Sequence, residues 1–415
     1  MLSTSLRGCL PLLFAVALLA DAGPSSAGDW SQWRGPTRDG RVESLPPSLE
    51  ELTKAWSVEL PPSYSGPVAD ASRVYTTATE DKANEVVIAY DLATGGEVWR
   101  ASWPGAMSVP FFARANGSWI RATPALAGGR LYVAGMRDVL VCLDAATGGE
   151  IWRRDLAAER GGDVPMFGNV SSPLVRDGLV YIHDAGGISA LDAATGQTRW
   201  TALQDGEGER TDGAFSSPTI DEDAPGGPQL LVQTRSTLAG LDPASGDVLW
   251  STPVEAFRGM NILTPTARTV GDELQVFTST YGGGSTMFTV GGGRGDVQTK
   301  WTNKSEAYMA SPVVVDDRIV LPLRNQRVTA VDWNTGQTAW TSTPYGKYWS
   351  MLTDGDTVLA LDQRGQLHRL GVGGESLDVR ESREVSGTET WAHLGWDGER
   401  LLIRRLDGLD VYTAE

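Results

Sequence analysis

Aromatic side chains recur at Tyr64, Trp119, Phe167, Phe215, Tyr308, Trp349 and Trp391. Cations fall in the same stretches, at Arg114, Arg121, Arg258 and Lys347, together with the amides Asn169 and Asn261 and with His393 two residues beyond Trp391. Aromatic faces beside guanidinium and ammonium groups can stack a flat ligand or seat a peptide side chain. The competing reading is packing, because aromatic residues are ordinary core material. The spacing supports neither a nucleophile nor a metal centre. His183, His368 and His393 stand far apart, with no triad partner or ligand motif around them. No Cys-x-x-Cys-His is present to attach a haem. The glycine-rich runs 281–287 and 291–296 lack the lysine followed by Ser or Thr of a phosphate loop, and read as hairpin turns.

These residues sit in a chain of 415 amino acids with 35 basic and 52 acidic residues, a net charge of -17. That balance opposes nucleic-acid binding, which needs the opposite sign. Residues 1–27 read as an export signal: Arg7, an apolar run from Leu10 to Ala20, and small residues before a cut near Ala27. The run is too short for a membrane span, and the expected destination is periplasmic or extracellular. Cys9 leaves with the leader, so Cys142 is the single cysteine of the mature chain. It occupies a small position that other segments fill with Ala89, Ala190, Gly240 and Ala330, which predicts a packed thiol.

A repeat must position the candidate residues. AYDLATGGEVW, CLDAATGGEIW, ALDAATGQTRW, GLDPASGDVLW and AVDWNTGQTAW end at Trp99, Trp152, Trp200, Trp250 and Trp340, and a degenerate copy ends at Trp301. Steps of roughly 40–50 residues suit a four-stranded propeller blade. In each unit Asp and Thr can satisfy free backbone groups in a tight turn, glycine can take positive φ, and the tryptophan can dock on the next blade. Trp56 lies in the same setting with no three strands ahead of it, while the chain stops where the last blade needs its final strand. The expected fold is all-β: an eight-bladed propeller of four-stranded antiparallel blades over 52–415, closed by an N-terminal strand that completes the C-terminal blade. Seven blades is the alternative, because the segment 348–386 has lost its tryptophan. Residues 28–51 are expected to pack on a propeller face through Trp30 and Trp33, as a cap or a closing element.

The A-x-D-x-x-T-G-x-x-x-W units resemble the pyrroloquinoline-quinone-type propeller repeat across almost the whole mature chain. That family includes quinone-dependent alcohol dehydrogenases and non-enzymatic scaffolds of the outer-membrane-protein assembly lipoprotein type. The resemblance therefore implies two roles. A dehydrogenase of alcohols or sugars would bind the quinone through Arg114, Arg121, Arg258 and Lys347, and calcium through oxygens such as Asp163, Asn169, Asp212, Asn261 and Glu306. The resembling enzymes cover the quinone with a disulfide between adjacent cysteines, a pair absent here. The reading adopted is an exported, monomeric, non-catalytic scaffold for protein or peptide partners, with no cofactor and no metal. A quinone- and calcium-dependent dehydrogenase and a small-ligand or carbohydrate binder are the alternatives.

Overall fold

A computed structural model describes residues 28–161, 164–184, 187–204 and 213–414. The expected leader, Asp163 and Asp212 lie outside these residues. The described residues form eight four-stranded antiparallel blades, each strand paired with its sequence neighbour except at the seam. Blade one comprises Val68–Ala69, Arg73–Glu80, Asn84–Asp91 and Glu97–Pro104. Blades two to seven follow over 125–155, 174–202, 219–253, 266–303, 313–341 and 350–384. Blade eight joins Gly395–Trp396, Arg400–Arg405 and Gly408–Ala414 to the N-terminal strand Leu52–Glu59, with Trp56 opposite Val411.

The burial pattern explains the blade. The second and third strands of blade one are buried at every position but their ends, because both faces meet other blades. The outer strand is mostly exposed, burying chiefly Trp99 and Trp103. Each repeat tryptophan pairs across its hairpin with a small or slender residue, Ala89 with Trp99, Cys142 with Trp152 and Ala190 with Trp200, and a bulge follows at once. The bulge releases the strand into the turn. There Asp192 Oδ1 accepts from the N–H and Oγ1 of Thr195, both at 2.8 Å, and Gly196 takes φ 71°. The indole of Trp152 lies against that glycine, where a Cβ would fall 2.7 Å from the ring, and its Nε1 donates to Ala193 O.

The same dock links Trp56 to Leu92 O, Trp99 to Ala145 O, Trp200 to Pro243 O, Trp301 to Trp333 O and Trp340 to Val372 O. Trp250 differs. Its ring packs against Leu274 and Val276 of blade five, but its N–H donates to Gln229 Oε1 of its own blade at 2.8 Å.

Candidate functional site

The channel is floored on one side by residues 30–44. Trp30 exchanges both backbone hydrogen bonds with Ala69 of blade one, and Ser31 O accepts from Leu126 of blade two. Arg38 donates to Ser172 O and Pro173 O of blade three, Arg34 to Pro312 O of blade six, and Gly40 and Val42 bracket Thr353 of blade seven. Trp396 Nε1 of blade eight donates to Ser44 O. At the centre the Trp33 ring lies 5.4 Å from each of the Arg34 and Arg38 guanidiniums. Burial lowers these two guanidiniums to about 10 and about 9, so both stay charged near neutrality.

Above this floor the inner strands carry a girdle of hydroxyls. Backbone N–H groups of Gly66, Thr123, Ser172 and Ser217 donate to the side-chain oxygens of Thr123, Ser172, Ser217 and Thr264, each on the next blade, at 3.0–3.1 Å. Thr264 continues to Ser311 at 3.4 Å. On the far side Ser350 Oγ accepts from Leu394 N–H and lies 3.4 Å from His393 Nδ1, so the imidazole takes the eighth place in the ring. His393 meets the Trp33 edge at 5.1 Å, and burial among these groups lowers it to about 3. It is neutral at physiological pH.

Past the girdle the channel widens into a cavity of about 600 Å³. Its rim is a broken circle of aromatic rings. One arc runs Phe111, Phe112, Phe167, Phe215 with centroids 5.7–6.1 Å apart. The other runs Phe257, Tyr281, Tyr308, Tyr348, Trp391 and Tyr64 at 3.8–6.0 Å. Phe111 and Phe112 stand on the short 3-10 helix Phe111–Asn116 and are 80% and 62% exposed; Phe257 is 54% exposed. Arg121 lies over Tyr64, Arg235 over Phe215 and Arg324 over Tyr281. Burial drives the Tyr64 phenol up to about 12, so it stays protonated as a donor.

Of the residues singled out in the sequence, Tyr64, Arg121, Phe167, Phe215, Arg258, Trp391 and His393 line this cavity, and Tyr308 belongs to the second arc beside it. The others lie elsewhere. Asn169 is buried and donates to Asp138 Oδ1 and His183 O, while Asn261 clasps Arg235 O. Trp349 is buried against His368, with ring centroids 5.6 Å apart; Tyr348, one residue earlier at φ 55°, is the aromatic that blade seven presents. Trp119 backs Gly117, Arg114 is exposed on the 3-10 helix, and Lys347 O accepts from Gln363 N–H. The lining also includes Trp33, Phe112, Met166, Arg235 and Phe257, which repeat position does not announce. The girdle does leave a trace in the sequence: Ser or Thr before proline at 123–124, 172–173, 217–218, 264–265 and 311–312.

The lining fits the quinone–calcium pair poorly. Calcium takes six to eight oxygens, normally with carboxylates among them. No Asp or Glu lines the cavity, and among the described residues no three His, Cys, Asp or Glu side chains converge to hold a metal. Cys142 is buried in the hairpin of blade two, away from any stacking face.

Known proteins of both kinds, assembly factors and dehydrogenases, resemble this chain. Assembly factor BamB of Shewanella oneidensis is 22% identical over 311 residues, 70% of each chain. Quinohemoprotein alcohol dehydrogenase of Comamonas testosteroni is 28% identical over 180 residues, 40% of this chain and 23% of that one. Among solved structures, BamB from Moraxella catarrhalis superimposes with a TM-score of 0.60 at 17% identity, covering 87% of this chain and 97% of its own. The Comamonas enzyme gives 0.67 at 16% identity, covering 94% and 81%. These likenesses establish the shared propeller fold. A sequence profile described as outer membrane protein assembly factor BamB matches residues 83–342, well over half the sequence and four of the tryptophan docks, and the chain belongs to that family of pyrroloquinoline-quinone-type repeat propellers.

Proposed function

We propose that this chain is an exported, non-catalytic scaffold that binds protein partners at the aromatic mouth of its propeller. The observation that carries the reading is the exposure of Phe111, Phe112 and Phe257 around one end of the channel. Large apolar side chains gathered on a surface raise the cost of hydration, and such patches mark association sites. The related assembly factors, named for work on outer membrane proteins, support a partner of the same kind. The dehydrogenase reading loses ground because the cavity offers arginines without the carboxylates that calcium needs.

Photo-cross-linking tests the proposal. A photoreactive residue in place of Phe112 should trap a defined partner in intact cells, and one in place of Asp247, exposed on the opposite face, should not. Equal yields from both positions, or dye reduction by purified protein supplied with quinone, calcium and alcohols, would overturn it.

A further inference from the structure

We infer that the mouth selects acidic, aromatic-bearing peptide segments, with partner carboxylates taken by Arg121 and Arg258 and an apolar side chain seated among Phe112, Phe167 and Phe215. This rests on the scaffold reading above and adds the chemistry of the partner.

Charge is the first argument. The chain carries a net charge of -17, yet three arginines and no carboxylate line the cavity. Among the described residues the acidic group bonded to its lining is the exposed Glu389, engaged by the Tyr64 hydroxyl at 3.4 Å. The repeat-turn aspartates Asp91, Asp144, Asp192, Asp242 and Asp332 all open on the opposite face, where the outer hairpins turn. Neither Arg121 nor Arg258 makes an ion pair among the described residues. Arg121 spends one nitrogen on Gly117 O at 2.8 Å, and its buried Nε has no hydrogen-bond partner there. Burial pushes this guanidinium below its ordinary value, so an anion that restores its charge balance is favoured. Trp391 Nε1 is a second buried donor left without a partner.

Shape is the second. Trp33 and the hydroxyl girdle close the far end, so a ligand enters from one side and does not thread the channel. A volume of about 600 Å³ holds a few side chains and cannot admit a folded element. Phe111 and the outer part of Phe112 stand outside the cavity, where a small molecule bound within would leave them in water. A peptide that continues past the rim covers them.

Fluorescence anisotropy with a labelled, end-blocked peptide of Gly-Glu-Phe-Glu units measures the selectivity. It should bind at least tenfold tighter than its Gly-Gln-Phe-Gln counterpart, and the advantage should shrink as salt rises. Arg121→Gln and Arg258→Gln should each weaken binding about five- to tenfold, and Arg294→Gln in a turn of the opposite face should leave it unchanged. Arg258 is exposed, so its variant tests the proposal even where Arg121→Gln lowers the melting temperature. Equal binding of both peptides, or indifference to both mouth variants, overturns the inference; so does preference for vesicles of anionic lipid over the acidic peptide. If the cross-linker at position 112 still traps a partner while the peptides are not discriminated, acid selectivity falls and the scaffold survives; if both experiments fail, both fall.

Discussion

Trp56 of the first strand lies directly opposite Val411 of the last, and its indole Nε1 reaches forward to Leu92 O of blade one at 2.9 Å. One residue thus belongs to the seam and to the next blade junction. Arg404 reinforces the seam, buried with its guanidinium donating to Pro61 O, Thr77 O and Gly408 O. Trp56→Ala removes the dock and the indole packed on Gly95. For a half-buried tryptophan the expected loss is about 2–3 kcal/mol, read as a lower urea midpoint. A midpoint equal to wild type would show that the seam holds without it.

Cys142 reports unfolding. It is fully buried, and burial pushes its thiol up to about 12, so almost no thiolate exists at neutral pH. Protein expressed from residue 28 onward, which holds this one thiol, should not react with an aromatic disulfide reagent over hours in the native state, and one equivalent should react once urea passes the midpoint. Rapid labelling of the native state would contradict the packing described.

The architecture was legible because its determinants are local and repeated. Asp, Thr, Gly and Trp at fixed spacing encode turn, positive φ and dock within a dozen residues, and Trp56 marked the missing strand. Blade seven was obscure for a physical reason: opposite Arg369, at the bulge where the other blades carry tryptophan, stands Glu381, which accepts from Leu49 N–H and Ser48 Oγ, while Arg383 two residues on donates to Leu49 O and Leu52 O. The mouth was only half legible. Tyr64 and Trp391 precede inner strands and keep register, whereas Phe112, Phe257 and Tyr281 arrive on loops and hairpins of unequal length. Choosing Tyr348 over Trp349 depends on one left-handed backbone angle.

His183 makes stability fall in mild acid. It is 1% exposed, Nδ1 lies 3.2 Å from Gly187 O, Nε2 is buried without a partner, and burial lowers the imidazole to about 4. The unfolded chain takes up the proton near 6.5 and the folded one does not, so stability present above that pH is lost as pH falls toward 4, by about 2 kcal/mol at pH 5. Melting temperature followed from pH 7.5 to 5 should drop less for His183→Gln than for wild type. Parallel curves would refute the assignment.

Gly40 controls the floor. It sits at φ 79°, and a Cβ there would fall 2.8 Å from Met351 O, so Gly40→Ala is strained in backbone and in space. A cost of about 2 kcal/mol is expected, concentrated where Gly40 O accepts from Thr353 N–H. Limited proteolysis should then cut within 30–44 while the blades stay intact. Unchanged protection would mean that the floor is held without this turn.

The rim phenylalanines should be dispensable for folding and required for association. Phe111 and Phe112 are largely hydrated in the native state, so serine at both positions removes little buried area and should change stability by less than about 0.5 kcal/mol. The side chain most at risk is Phe167, which loses its edge contact with Phe112 but keeps Phe215 at 6.0 Å. The double variant should melt within about a degree of wild type, self-associate less at high concentration, and lose the product trapped by a cross-linker placed at Phe257. A large fall in melting temperature would assign these rings to packing after all, and retained cross-linking would place the partner elsewhere on the disc.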